Sequence, residues 1–133
     1  DAESAFTALR PYATGPDRDL IALRLAETSV HRRRFQAAHK ALGALIDEGP
    51  LQDEALYYYA STRRSQGAAS DSVRTVRQLA DRFPASPWTE EALNDLASAY
   101  IREDRPDVPV VFRFLRKRLI RGRKSGRKED KRQ

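Results

Sequence analysis

Apolar residues recur along this chain at helical spacing, in segments closed by proline and glycine. Leu20, Leu23, Leu25, Ala26 and Val30 predict a helix from Asp19 to about Arg33. Ala38, Leu42, Leu45 and Ile46 predict a second over Phe35 to Asp47. Gly49-Pro50 stops it, because proline cannot continue a helix and the residue before it avoids helical angles. A third helix spans Asp53 to Ser65, with Gly67 as a left-handed exit. Ser70 or Asp71 caps a fourth that runs to about Arg82 and ends at Phe83-Pro84. Ser86 before Pro87 suits a cap followed by a first helical residue. Glu90 and Glu91 then fall in a first turn, where the helix dipole favours them. That helix carries Leu93, Leu96, Ala97 and Tyr100 on one face. Ala2 to Leu9 reads as the second helix of an earlier unit whose first helix is missing.

The pattern repeats. Pro16, Pro50 and Pro84 are 34 residues apart. The same shift carries Ala22 onto Leu56, Leu25 onto Tyr59, Ala26 onto Ala60, Leu42 onto Val76 and Leu45 onto Leu79. Ala38 falls on Ser72, another small residue. A further shift of 37 carries Leu56 onto Leu93, Tyr59 onto Leu96 and Ala60 onto Ala97, the three extra residues fitting Ser86-Pro87-Trp88. Ala26, Ala60 and Ala97 each follow a large apolar residue, so each lets a partner helix come close. The expected boundaries are a partial unit over 1–15, full units over 16–50 and 51–87, a divergent unit over 88–121 and a basic tail over 122–133.

A 34-residue helix–turn–helix of this kind resembles the tetratricopeptide repeat. The matching residues are Leu25-Ala26, Ala38, Leu42, Leu45 and Pro50, then Tyr59-Ala60, Gly67, Val76, Leu79 and Pro84, then Leu96-Ala97 and Tyr100. The match covers about residues 16 to 104 and departs at Pro109, where a small residue belongs. The resemblance implies an all-α, right-handed α-solenoid of about three helix–turn–helix units.

A narrower resemblance lies in the run from Phe83-Pro84-Ala85-Ser86-Pro87-Trp88 through Leu93, with Leu96-Ala97 and Tyr100 after it. It is similar to the repeat junctions of bacterial envelope proteins, above all the superhelical non-catalytic region of soluble lytic murein transglycosylases. In that family a separate domain carries a catalytic glutamate followed by serine. The only such pair here is Glu3-Ser4, and methionine is absent. The resemblance therefore implies no catalytic residue in this chain.

In tetratricopeptide arrays the first helix of each unit lines the concave face. By that register the groove residues are Leu23, Glu27, Val30, Tyr57, Ser61, Arg64, Asn94, Ser98 and Ile101. Family members that clamp a peptide C-terminus use lysine and asparagine at these places. Leu23 and Tyr57 replace the lysine and Glu27 would repel a carboxylate, so the expected ligand is another kind of peptide or a neighbouring domain.

Composition narrows the chemistry. With no cysteine there are no disulfides, thiolate zinc sites or cysteine nucleophiles. His31 and His39 fall on different predicted helices without carboxylates at ligand spacing, so neither metal nor cofactor is expected. The adjacent pairs Glu90-Glu91 and Asp47-Glu48 point about 100° apart on a helix, which suits no shared acid–base site. No run approaches the length of apolar chain needed to span a membrane.

The net charge of +6 is uneven. From Arg116 to Gln133 the balance is +8, and the first 115 residues carry −2. The tail can attract anions, but it lacks the interleaved aromatics that stack on bases, so nucleic acid is not the expected partner. Val111, Phe114, Leu115 and Leu119 form an apolar stripe expected to fold back on its own unit or to mediate self-association. The function these features point to is protein–protein interaction or scaffolding in the bacterial periplasm or envelope, without enzymatic activity of its own. The alternatives are a non-catalytic fragment of a lytic transglycosylase, and anion binding through the tail.

Overall fold

In the computed structural model the described residues are 2–9, 15–102, 113 and 116, and all their regular structure is helical. The elements are α1 (Ala2–Leu9), α2 (Gly15–His31), α3 (Phe35–Leu42), α4 (Gln52–Ser65), α5 (Ala69–Arg82) and α6 (Pro87–Arg102), with a short 3₁₀ turn at Gly43–Ile46. The chain divides into two compact units, Asp1–Ala92 and Leu93–Gln133. The expected all-α class is observed. The tail over 122–133 and the stripe of Val111, Phe114, Leu115 and Leu119 lie outside the described residues.

In the first unit consecutive helices pair, α2 with α3 and α4 with α5, and α4 also packs on α2 and α3. The core is built from Leu23 and Ala26 of α2, Leu42 of α3, and Ala55 and Tyr58 of α4. Val30, Leu45, Ile46, Leu51, Tyr57, Tyr59 and Trp88 close around it. Small residues occupy the tight places. Ala26, Ala38, Ala60 and Ser72 are all buried. Ser72 Oγ donates to the Ala60 carbonyl across the α4–α5 contact at 2.8 Å, a bond that needs near contact between the two helices.

The 34-residue period is present in the backbone. After α2, the amides of Arg32, Arg33, Arg34 and Ala38 donate to the carbonyls of Thr28, Val30, Ser29 and Arg34. After α4, the amides of Gln66, Gly67, Ala68 and Ser72 donate to Thr62, Arg64, Arg63 and Ala68. Every donor and acceptor is shifted by 34. Each turn is a Schellman closure, in which one residue must turn left-handed. Gly67 does this at φ +82, and Arg33 does it at φ +59. A second correspondence, at a shift of 37, joins Gln52 and Thr89. Gln52 Nε2 donates to the carbonyls of Ile46 and Asp47, and Thr89 Oγ1 donates to that of Phe83. Both side chains tie the start of one helix to the exit of the preceding one.

Three expectations at helix ends are corrected. The helix from Phe35 stops at Leu42 and not at Asp47, because Gly43 takes φ +40 and the chain tightens into the 3₁₀ turn. Helix α2 begins at Gly15, four residues before Asp19. Neither Ser70 nor Asp71 caps α5. Ala68 holds that position without a side-chain bond, and Asp71 lies inside the first turn. Ser86 does cap α6, its Oγ accepting from the Trp88 amide at 3.1 Å while donating to Asp53 at 2.7 Å.

Two substitutions test this packing. Ala60→Leu should overpack the α4–α5 crossing and cost roughly 1–3 kcal/mol in denaturant titration. Gly67→Ala should cost about 1–2 kcal/mol through its left-handed angle alone, since no atom lies within 4 Å of an added Cβ. An unchanged midpoint in either variant contradicts the geometry described.

Candidate functional site

The face shared by α2 and α4 holds a partly buried charged network. Arg24 extends from α2 between two carboxylates. It hydrogen-bonds Glu27 one turn along its own helix, and its Nη2 lies 3.2 Å from Glu54 Oε1 on α4. That second contact is an ion pair out of line for a hydrogen bond, and Glu54 Oε1 is buried without a hydrogen-bond partner. Burial pushes the Glu54 carboxyl above its usual range, and the guanidinium only partly opposes it. Tyr58 is buried beside them. Its hydroxyl is pushed up to about 12, first by burial and then by the charges of Glu27 and Glu54. It stays protonated at any physiological pH.

An aromatic cluster adjoins this network. The rings of Tyr57 and Tyr58 each meet Trp88, at centroid distances of 5.2 and 5.8 Å, and lie 5.2 Å from one another. Trp88 opens α6, so the cluster joins successive first helices within the unit. Tilted and edge-on contacts of this kind contribute roughly 0.5–1.5 kcal/mol each beyond burial.

A third cluster lies toward the other end of α4. Asp71 Oδ2 accepts from Arg63 Nε at 2.8 Å and from the Tyr59 hydroxyl at 3.1 Å. The Arg63 bond, and then the Tyr59 bond, hold the Asp71 carboxyl below its usual range. Tyr59 also stacks obliquely on His39 of α3, with centroids 5.5 Å apart.

The groove residues expected from the repeat register are not equivalent. Leu23 is fully buried in the core, so it offers no surface to a ligand in this conformation. Val30 and Tyr57 are half-buried against the same core. Glu27 is half-buried and committed to Arg24. Ser61 and Arg64 are half-buried farther along α4. Asn94, Ser98 and Ile101 belong to the second unit, where Asn94 is half-buried and the other two are exposed. The sequence pattern assigned no site role to Arg24, Glu54 or Trp88. Their signal was present in part, since Arg24 lies three residues before Glu27. The link to Glu54 depends on the α2–α4 contact.

Among the described residues no three histidine or acidic side chains converge as metal ligands, and no helix is long and apolar enough to cross a membrane. No protein-family model matches the chain, and neither curated proteins nor solved structures show significant similarity to it.

The two unusual carboxylates should titrate in opposite senses. Asp71 has a lowered folded-state pKa, so its contribution is present above its unfolded value and is lost as pH falls through the folded one. Asp71→Asn should therefore cost on the order of 1 kcal/mol at pH 7, discounted for partial exposure, with the difference from wild type vanishing in acid. Glu54 has a raised folded-state pKa, so its ionised form opposes folding as pH rises. Glu54→Gln should show no such loss at pH 7. Chemical denaturation of each variant across acidic to neutral pH checks both signs.

Proposed function

We propose that the chain is a right-handed α-solenoid of about three tetratricopeptide-like units. Its work is protein–protein interaction or scaffolding in a bacterial envelope protein, with no catalysis of its own. The observation that carries the repeat reading is the pair of turns after α2 and α4, closed by the same backbone hydrogen bonds 34 residues apart. The face of α2 and α4 supports binding over chemistry, because its ionisable groups are paired with one another or buried. Ser61 and Arg64 form a half-buried polar strip on α4, which supports contact with an extended peptide or a neighbouring domain. Trp88 and Tyr57 supply the aromatic area that protein interfaces favour.

A second reading is that the chain is the non-catalytic superhelical part of a lytic transglycosylase and belongs to peptidoglycan turnover. It rests on the junction from Phe83 to Leu93, where Ser86 ties the start of α6 to Asp53 of α4 and Thr89 ties it to the Phe83 carbonyl at the end of α5.

Selection of peptides from a random displayed library tests the groove. Peptides recovered on the wild-type chain should lose about tenfold or more in affinity with Ser61→Arg or Arg64→Glu, and keep it with Arg77→Glu on the exposed side of α5. Equal loss from all three variants, or no selected peptide, counts against a groove.

A further inference from the structure

Because each short turn reverses the chain, α2 and α4 run the same way and place their C-terminal ends on one edge of the first unit. That edge is built from residues 28–34 and 61–74. It holds six arginines, at 32, 33, 34, 63, 64 and 74, and a single acid, Asp71. The opposite edge, residues 15–20, 46–54 and 80–91, holds nine acids and two arginines. The unit is therefore polarised from end to end.

The helix dipole accounts for only part of this. Its pull on cations fades beyond the last turn, which covers Arg63 and Arg64. Arg33 lies past the end of α2, in the left-handed angle that Gly67 takes after α4. A non-glycine residue held there carries steric strain that glycine avoids. The three consecutive arginines are all exposed, and Arg32 and Arg34 also hold interactions of their own. Arg33 is positioned over the Phe35 ring, 5.6 Å from its centroid, which limits the freedom of its guanidinium. Packing within the unit does not account for a strained arginine at an exposed turn.

We propose that the Arg32-Arg33-Arg34 turn is a docking surface for an acidic protein segment, separate from the α2–α4 groove. Arginine forks match carboxylates in paired hydrogen bonds, and the edge uses arginine throughout. Asp71 argues for a peptide over a phosphate polymer. It is paired with Arg63 and Arg74 and so interrupts the positive charge of the edge, which suits spaced carboxylates over a backbone with a charge every ~1.7 Å.

The test uses the full chain and a fluorescently labelled oligoglutamate peptide. Arg32→Gln, Arg33→Gly and Arg34→Gln are combined in one variant, glycine being chosen because it suits the φ of position 33. A matched variant removes three tail charges through Arg127→Gln, Lys128→Gln and Lys131→Gln. Circular dichroism and thermal melting establish that both fold. The turn variant should lose roughly tenfold in peptide affinity, and the tail variant much less. Equal losses would mean that net charge alone drives binding, and the assignment fails. It also fails if the turn variant binds the peptide as wild type does. A duplex oligonucleotide and phosphatidylglycerol vesicles serve as further probes. Turn-dependent binding that is stronger for either of these than for the peptide would overturn the acidic-protein reading.

Discussion

The close approach of α4 and α5 is the constraint on which the first unit depends. Ser72 can donate to the Ala60 carbonyl only because neither residue holds the helices apart. Ala38 and Ala26 occupy the same repeat positions in the α2–α3 pair, and both are fully buried. With the small residues at the crossings, larger ones can close over the flanks. Leu23, Leu42 and Leu79 are accordingly among the largest side chains removed from solvent. The turns then follow from the pairing. Two helices held this close leave room for a three-residue link, and a link that short needs one left-handed residue.

Electrostatics is layered on that frame. Parallel first helices put like ends together, so the arrangement that satisfies each helix dipole also collects acids on one edge and arginines on the other. Between the edges, Arg24 holds Glu27 and Glu54 on neighbouring helices. This contact is costly, since Glu54 is buried and one of its oxygens lacks a hydrogen-bond partner. Asp71 is the opposite case. It remains partly exposed and satisfied by Arg63 and Tyr59, so its charge favours the fold.

Much of the architecture was legible in the sequence because helix formation and helix stopping are local. Proline and glycine at fixed intervals, apolar residues at helical spacing and the Ser86-Pro87 start all act within a few residues. They gave the order of helices and the cap on α6. Errors arose where a local signal competed with packing. Asp71 is a good cap by type, but Arg63 of the preceding helix draws it into an ion pair and Tyr59 donates it a hydrogen bond. Gly43 is tolerable within a helix by pattern, but here its positive φ ends α3.

The sequence by itself determined the helical class, the 34-residue period and the small residues reserved for crossings, since each is written in spacing along one chain. It also located Tyr57, Ser61 and Arg64 on one stretch of α4. Only the tertiary structure decided that Leu23 is core and not groove, that Arg24 and Glu54 meet, and that Trp88 covers Tyr57 and Tyr58. Those outcomes depend on the depth and rotation at which α2, α4 and the start of α6 settle on one another. Helical periodicity fixes which residues share a face. It does not fix how far a neighbouring helix covers that face, because that is set by side-chain volumes distant in sequence.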